Sequence, residues 1–279
     1  MSFSGYAYPR FWRGAAAALS LLSRVFLLVI GWAVVAGDEP IPPLGLLRAL
    51  VLFTAVPALA VWLIERAFAS TLSVTNGVVT IERPGLRLEI DAAVLTTVAP
   101  WRLPLPQSGL SLETRSGWCL SFGCVGPIAA LLAGLRDHGG CAVAGDAFHH
   151  PAVTYGEARL AAGGHSVWGL IAKFAGLGLA VAAVFFNAHQ HIAYGGPLGE
   201  YHLLGLRSYL QTLSIYWSTV AIYLVLYAAA WRWIVELANL TAAYAAPQHA
   251  MRLRRASEIV IRIAYYGGVP LLVALRFLA

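Results

Sequence analysis

Residues 11–36 read FWRGAAAALSLLSRVFLLVIGWAVVA, and this stretch decides the class of the fold. The hydrocarbon core of a bilayer is about 30 Å thick, and about 20 mostly apolar residues cross it as a helix. Arg13 and Arg24 are the only charged residues in the stretch. No small-residue cleavage site follows a short apolar core, so the pattern favours a retained membrane anchor over a signal peptide.

Four further apolar runs of comparable length follow the first. The composition agrees, because 59% of the residues are hydrophobic and 11% are charged, whereas soluble domains are about 25% charged. The sequence therefore predicts an α-helical polytopic membrane protein with about five transmembrane helices. Two of them fall within residues 11–68 and three within residues 166–279. The predicted spans are residues 11–36, 46–68, 166–186, 208–237 and 259–278.

The basic residues predict the orientation of the spans, because loops rich in Lys and Arg stay in the cytoplasm. The first connection, residues 37–45, carries Asp38 and Glu39 but no basic residue, and residues 187–206 contain no Arg or Lys. We therefore expect a multi-pass protein of the bacterial inner (cytoplasmic) membrane, with the N-terminus inside, the C-terminus outside and a basic cytoplasmic link at residues 238–256. The basic residues at the predicted cytoplasmic ends are Arg10, Arg13, Arg66, Arg252, Arg254 and Arg255.

Between the second and third spans, residues 69–139 change to the period of two that is typical of β-strands. Alternating residues on both sides of Asn76-Gly77 predict a hairpin with a type I′ turn. Residues 86–98 predict a further strand and residues 109–122 a second hairpin, while residues 128–135 predict a short amphipathic helix that begins after a proline. These elements indicate a small cytoplasmic α+β module. A Gly/Ala-rich link, residues 140–165, follows it.

Two membrane spans, an "LSVTNGVVTIE" hairpin, an "LRLEIDAAVLTTV" strand, a "GLSLETRSGWCLSF" hairpin and a final helix follow one another over about residues 46–139. This order resembles the bacterial membrane-anchored pleckstrin-homology-like (PH-like) domain proteins. The resemblance implies a bent, partly open strand barrel capped by a helix, used for binding and assembly and without a catalytic motif. Because residues 69–165 contain six Arg and seven acidic residues, the basic phosphoinositide-binding loop of eukaryotic relatives has no counterpart, and we do not expect this domain to recognise lipid headgroups.

The predicted outside loop contains a candidate metal site. His189, His191, Glu200 and His202 fall within fourteen residues, and neutral imidazole is a ligand for zinc, copper and iron. On a helix His189 and His191 would lie about 200° apart, so only an extended segment puts both on one face. The alternative is an interfacial loop whose polar side chains bind headgroups or a partner. No cofactor is expected unless this loop holds a metal or haem.

Arg24 lies near the middle of the first predicted span, where a charge costs at least about 2.5 kcal/mol on insertion scales. Either the first helix lies partly in the membrane interface, or Arg24 meets a backbone carbonyl, a lipid phosphate or another subunit. The fourth span is rich in aromatic residues that offer contact area to a partner or to lipid. Its candidate contact residues are Trp217, Trp231 and Trp233.

The fifth span contains Gly-Gly followed by Pro near its midpoint, a combination that interrupts a helix. Lipid cannot satisfy the freed backbone groups, so the break must pack against protein or line a wet cavity. Broken helices occur at transporter sites and also as simple packing kinks. The residues of this candidate cavity are Tyr265, Tyr266, Gly267, Gly268 and Pro270.

Taken as a whole, the residue pattern carries no recognisable catalytic set or phosphate loop. Nucleic acid is not expected as a partner, because the arginines lie beside apolar runs and do not form a patch. We therefore predict a non-catalytic accessory, assembly or scaffolding subunit of a larger inner-membrane complex, whose partners are other membrane subunits and lipids. The alternatives are a small transporter or lipid-handling protein with a cavity at the broken fifth helix, and a metal- or haem-dependent enzyme.

Overall fold

A computed structural model describes residues 1–36, 42–163 and 166–278. Asp38 and Glu39, which contributed to the predicted orientation, lie outside the described residues. The chain divides into two compact units. Unit 1 comprises Met1–Val25, Phe53–Gly163 and Val235–Glu258, and unit 2 comprises Phe26–Leu52, Gly164–Ile234 and Ile259–Ala279.

Five helical segments are long and apolar enough to cross a membrane, as the sequence predicts. Leu, Ala, Val and Ile dominate them, and these residues leave no polar group for lipid to solvate. The segments are Arg10–Val34, Pro43–Ala67, Trp168–Tyr194, Gly199–Ala245 and Pro247–Leu275. Their helices are α1 (Arg10–Ala36), α2 (Pro43–Leu50), α3 (Val56–Ala67), α7 (Val167–Ile171), α8 (Leu177–Tyr194), α9 (Gly199–Ala245), α10 (Ala250–Tyr266) and α11 (Gly268–Leu278).

The helices extend into regions that the sequence assigned to loops. Helix α8 ends at Tyr194, where Gly195 takes a left-handed conformation (φ 76°) and closes the C-terminus. Helix α9 starts at Gly199, so most of the predicted outside loop is helical. Its one non-helical residue is Gly205 (φ 85°, ψ 173°). The predicted basic link is likewise mostly helical, because α9 continues to Ala245 and α10 begins at Ala250.

Unit 1 contains a single antiparallel sheet of seven strands in the order β4-β3-β2-β1-β7-β6-β5. The turn between β2 and β3 is the predicted one, with positive φ at both Asn76 (51°) and Gly77 (81°), as a type I′ turn requires. Both predicted hairpins are confirmed. The strands are β1 (Ser2–Tyr8), β2 (Ala69–Thr75), β3 (Val78–Arg83), β4 (Leu86–Asp91), β5 (Leu95–Pro100), β6 (Gly109–Thr114) and β7 (Cys119–Cys124).

The chain connectivity shows that the sheet is curved. Strands β4 and β5 are opposite edges, which would lie about 29 Å apart in a flat sheet with strands about 4.8 Å apart. However, only a 3-10 turn, Ala92–Val94, joins them, and four Cα steps from Asp91 to Leu95 reach at most about 15 Å. The two edges therefore approach each other where this turn joins them, and the sheet is bent.

Two features of unit 1 differ from the predictions. The predicted strand at residues 86–98 is interrupted, because the Asp91 carboxylate accepts a hydrogen bond from the Ala93 amide (2.9 Å) and starts the 3-10 turn. The predicted Gly/Ala-rich link contains two helices, α5 (Val143–Ala147) and α6 (Pro151–Ala161). The predicted short helix is confirmed as α4 (Ile128–Asp137), and its apolar residues join the sheet core.

Strand β1 was not predicted from the sequence. It lies at the centre of the sheet, where it pairs with both β2 and β7. Gly5 allows this close packing, because a Cβ atom there would lie 2.2 Å from the Gly123 carbonyl oxygen and 2.4 Å from the Phe122 ring. The residues that precede the first apolar helix therefore complete the sheet.

Candidate functional site

The break in the fifth apolar segment lies where the sequence predicts it, between the end of α10 and the start of α11. The Tyr227 hydroxyl donates a hydrogen bond to the Ala264 carbonyl (2.9 Å), a group near the interrupted end of α10. The Gly267 amide still donates to the Ile263 carbonyl (2.8 Å). Pro270 lies in the first turn of α11, where its missing amide hydrogen costs no intrahelical bond. Protein groups therefore satisfy backbone that lipid could not.

The two tyrosines before the break differ in their surroundings. Tyr265 is 1% exposed, and its hydroxyl donates to the Lys173 carbonyl (2.9 Å) in the π-helical turn Ala172–Gly176. The Lys173 ammonium lies 4.0 Å from the centroid of the Tyr265 ring. Tyr266 is 57% exposed. Of these two predicted cavity residues, only Tyr265 is part of the packing.

A groove of about 650 Å³ lies in unit 2 beside the break, and we call it the apolar groove. Its lining consists of apolar and aromatic residues from α1, α8, α9 and α11. None of the five predicted cavity residues lines it, but Val269, which lies between Gly268 and Pro270, does. The lining includes Leu27, Gly31, Tyr227, Ala230, Val269 and Leu272.

The structure does not bring the four predicted metal ligands together. His189 and His191 lie on α8, where the helix points them to different sides. His189 packs edge-on against Tyr194, and His191 Nδ1 lies 2.9 Å from the Asn187 carbonyl oxygen. Among the described residues, no group of three or more His, Cys, Asp or Glu side chains could hold a metal ion.

Glu200 instead forms a buried hydrogen-bonded cluster that the sequence analysis missed. Its carboxylate accepts bonds from Gln190 Nε2 (2.6 Å), Ser208 Oγ (2.8 Å) and Thr212 Oγ1 (2.7 Å). Glu200 is 2% exposed and Gln190 is fully buried. These three donors offset the cost of removing the carboxylate from water. The only signal in the sequence was the four-residue spacing of Ser208 and Thr212, which places both on one face of a helix.

The aromatic residues of α9 form contacts within unit 2. The Trp217 indole donates to the Ala175 carbonyl (3.1 Å) and the residue is 39% exposed. Trp231 packs edge-on against Tyr227, with ring centroids 6.4 Å apart. Trp233 is half-buried. Of the three predicted contact residues, Trp217 is exposed and the other two are half-buried.

A buried ionic network lies in unit 1, and it includes the predicted site residue Arg24. The Arg254 guanidinium binds both oxygens of Glu236 (2.9 Å each) and Glu258 Oε1 (2.9 Å). Arg24 is half-buried, and the charge of Arg159 acts on it more strongly than Tyr155 and Glu236 do. Charged residues of the same chain were not among the explanations that the sequence suggested for the surroundings of Arg24. The sequence separation between α1, α6 and α9 hides this proximity.

Tyr155 on α6 completes this network. Its hydroxyl donates a short hydrogen bond to Glu236 Oε2. Burial, followed by the hydrogen bond to Glu236, raises the pKa of Tyr155 to about 12. The phenol therefore stays protonated and can only stabilise the carboxylate as a donor. The side chains of Tyr155, Glu236 and Arg254 cross-link α6, α9 and α10.

Comparison with known proteins finds no matching family model, no similar curated protein and no similar solved structure. The class of the protein is therefore described from its own fold. The chain combines five helices that are long and apolar enough to span a membrane with a seven-stranded antiparallel sheet.

Proposed function

We propose that this protein is a lipid-handling membrane protein that holds a hydrocarbon chain in the apolar groove. The observation that carries this proposal is the groove itself, about 650 Å³ in volume, beside the break in the fifth apolar segment. Small-molecule sites usually enclose about 300–1,000 Å³. The groove falls in this range and lies among helices that are apolar enough to face lipid.

The lining supports an apolar occupant. A site for a polar substrate needs several converging donors or acceptors, but every side chain in this lining is apolar or aromatic. Polar side-chain atoms in the lining come only from Trp32, Tyr223 and Tyr227, and the Tyr227 hydroxyl already donates to the Ala264 carbonyl. An occupant without hydrogen-bonding groups therefore matches the groove.

The volume favours a flexible chain over a helix of a partner protein. One helical turn about 10 Å wide and 5.4 Å high occupies about 420 Å³, so the groove holds roughly one and a half turns. A membrane-spanning partner helix has five or more turns. A hydrocarbon chain can bend to follow the groove past Gly31 and Ala230, the two smallest lining residues.

The test uses full-length protein in native-like lipid discs with a phospholipid whose acyl chain carries a photoreactive diazirine. We expect cross-links to concentrate on peptides that contain Leu27 and Leu272. Gly31→Leu should reduce these cross-links at least fivefold, because a side chain there enters open space within the groove. Gly176→Leu is the matched control, since Gly176 also has nothing within 4 Å of a Cβ position but does not line the groove.

Cross-links spread evenly over all five apolar segments would contradict a specific chain-binding site. Equal labelling of wild type and Gly31→Leu would do the same. A stoichiometric protein companion cross-linked at Leu27 or Leu272 would show that a partner helix occupies the groove. Thermal unfolding of each variant in the same discs shows whether it is folded.

We also propose that the protein resides in the bacterial inner membrane with its N-terminus and sheet module in the cytoplasm. Unit 1 contains the sheet together with the start of the first apolar segment, the ends of the second and fourth, and the start of the fifth. These ends carry seven of the eleven arginines within the five segments, and positive charge favours the cytoplasmic side. The start of the first segment lies in the same unit as the end of the second, and the end of the fourth lies there with the start of the fifth. This supports an up-and-down arrangement of these helices.

A second candidate function, an accessory or assembly subunit, rests on the sheet. Edge strands β4 and β5 each pair on one side only, and an unpaired edge can accept a strand from a partner. A bent sheet with a helix after its last strand is also what the PH-like resemblance implies. Purification from native membranes in mild detergent tests this function: a stoichiometric companion supports it, and a solitary protein contradicts it.

A further inference from the structure

A second cavity, of about 410 Å³, lies in unit 1 between the first turns of α1 and strands β6 and β7. We call it the arginine pocket. From the helix it is lined by Arg10, Arg13, Gly14 and Ala17. Their spacing of three, four and seven residues places all four on one face of α1. This face presents two long cations beside two small residues.

The sheet side of the arginine pocket is polar for a reason that the strand register explains. Ser111 pairs directly with Ser121, so both side chains lie on the same face of the sheet. Cys119 is two residues from Ser121 and shares that face. Their neighbours Leu110, Leu112, Leu120 and Phe122 point into the apolar core on the opposite face.

One of the two cations is oriented by an aromatic ring. The Arg13 guanidinium lies 4.3 Å from the centroid of the Trp101 ring, and such stacking fixes its plane while leaving its N–H groups free to bind at the edge. Arg10 is exposed and lies beside Cys119 and Glu113. Glu113 is not a lining residue, but it pairs with Cys119 and so lies on the same face of the sheet. Two guanidinium groups therefore outnumber the one neighbouring carboxylate.

Two buried polar side chains lie at or near the same site. Ser121 is 2% exposed although it lines the cavity. Trp101 Nε1 is a buried donor with no hydrogen-bond partner among the described residues. Buried polar groups are normally paired. The unpaired donor is on the ring against which Arg13 stacks, and this ring is not itself part of the pocket lining.

We propose that the arginine pocket binds a phosphate group. Two guanidinium forks match the oxygens of a phosphate, and the hydroxyls of Ser111 and Ser121 supply further donors. The cavity has room for roughly a dozen water molecules at about 30 Å³ each, which is ample for a phosphate of five heavy atoms and part of its substituent. This site is separate from the apolar groove, and it uses Arg10 and Arg13 from outside the insert whose charge argued against headgroup recognition.

The phosphate can belong to a phospholipid headgroup or to a soluble molecule, because the pocket residues fit the phosphate group that both share. Phe11 and Trp12 are 75% and 42% exposed next to the pocket residues on α1. Aromatic residues at such positions are typical of the membrane interface. The experiment therefore compares a soluble probe with a lipid probe.

The test uses full-length protein purified in a maltoside detergent and freed of phosphate buffer. Calorimetric titrations are made with inorganic phosphate and, separately, with short-chain phosphatidylglycerol. We expect one of these probes to bind and to slow maleimide labelling of Cys119 at least threefold, because Cys119 lines the pocket. Arg10→Gln and Arg13→Gln should each weaken binding at least tenfold.

Gly14→Leu keeps the test decisive if an arginine variant does not fold. Gly14 lines the pocket and has nothing within 4 Å of a Cβ position, so leucine fills the site and leaves both arginines intact. Arg66→Gln is the matched control, since Arg66 also stacks on a tryptophan (5.5 Å from the Trp62 ring) and is not part of the pocket.

Binding of inorganic phosphate that Gly14→Leu abolishes would support the proposal with a soluble source. Binding of phosphatidylglycerol alone, with the same dependence on Gly14, would support it with a lipid source. The proposal is overturned if neither probe binds the wild type, if Gly14→Leu binds as tightly as the wild type, or if Arg66→Gln weakens binding as much as Arg13→Gln.

Discussion

The Arg254 guanidinium and the Glu236 carboxylate form a bidentate pair, with two nitrogen–oxygen distances of 2.9 Å. The side chains are 2% and 23% exposed. A buried charge is tolerated only with good geometry and further hydrogen bonds, and here Tyr155 and Glu258 provide them. The pair links α9 to α10 within unit 1 and explains why a fully buried arginine occurs in that helix.

Removing the Glu236 charge should destabilise unit 1. Glu236→Gln removes one of the two carboxylates that bind the buried Arg254 and leaves Glu258 in place, so we expect a loss of about 1–3 kcal/mol, as for buried donors that lose a partner. The measurement is the midpoint of thermal unfolding in detergent. Arg255→Gln is the control, because Arg255 is exposed on the same helix and should change the midpoint little.

A double variant separates the pair from its surroundings. If Glu236 and Arg254 stabilise each other, Glu236→Gln combined with Arg254→Gln should be more stable than the sum of the single effects predicts. Strict additivity of the two substitutions would show that the pair contributes no coupling energy.

Gly5→Ala should destabilise the sheet. A Cβ atom at this position would lie 2.2 Å from the Gly123 carbonyl oxygen, which is backbone and cannot move away without shifting β7. Overpacking of this kind costs about 1–3 kcal/mol. Denaturant unfolding followed by circular dichroism in the β-sheet region measures the change.

The control for this substitution is Gly126→Ala, in the turn that follows β7. Gly126 has open space at its Cβ position and no positive φ, so alanine should have almost no effect. If Gly5→Ala and Gly126→Ala unfold at the same denaturant concentration, the central position of β1 in the sheet is wrong.

His150 should make the stability of unit 1 depend on pH. Its Nδ1 atom accepts a hydrogen bond from the Ala152 amide (3.2 Å) and caps α6, which requires the neutral imidazole. Burial, and then the charge of Arg102, lower the pKa of His150 below 6.5. The cap therefore contributes fully above about pH 6.5 and is lost as the pH falls through the lowered pKa. The expected loss is about 1 kcal/mol, as for other N-caps.

Unfolding midpoints between pH 7.5 and pH 5 check this prediction. His150→Asn should flatten this part of the profile, because an asparagine caps a helix without titrating. His149→Asn is the matched control, since His149 is exposed and should leave the profile unchanged. A profile that keeps its slope in His150→Asn would assign the pH dependence to another group.

The proposed orientation is tested with single cysteines in a background without the native three. A membrane-impermeant maleimide added to intact cells should label Leu198→Cys, which is 48% exposed between α8 and α9. Thr75→Cys, at the exposed end of β2, should be labelled only after the cells are opened. The reverse pattern would invert the orientation.

The amino-acid sequence was sufficient for the elements whose signals are local. Apolar runs of 20 or more residues predicted the five long helices, because no water is available to solvate the backbone of such segments. Asn76-Gly77 predicted its hairpin, since few other residue pairs adopt positive φ at both positions. The break at Gly267 was also predicted from a local signal, because Gly-Gly followed by Pro interrupts a helix.

The elements that the sequence did not reveal depend on residues far apart in the chain. Strand β1 reads SFSGYAY and has no hairpin turn beside it, and its pairing with β2 and β7 makes it a strand. Likewise, the predicted metal ligands were close in sequence, but they lie on two helices, His189 and His191 on α8 and Glu200 and His202 on α9. Glu200 instead binds Gln190, Ser208 and Thr212.

By itself, therefore, the sequence determined which segments are long apolar helices and where the tight turns lie, because periodicity and backbone sterics act within a few residues. Only the tertiary structure decided that Glu236 meets Arg254, that Arg13 stacks on Trp101 and that Val269 lines a groove. These contacts arise where helices and strands from separate parts of the chain pack together. Their partners are set by the three-dimensional course of the backbone and leave no periodic trace in the sequence.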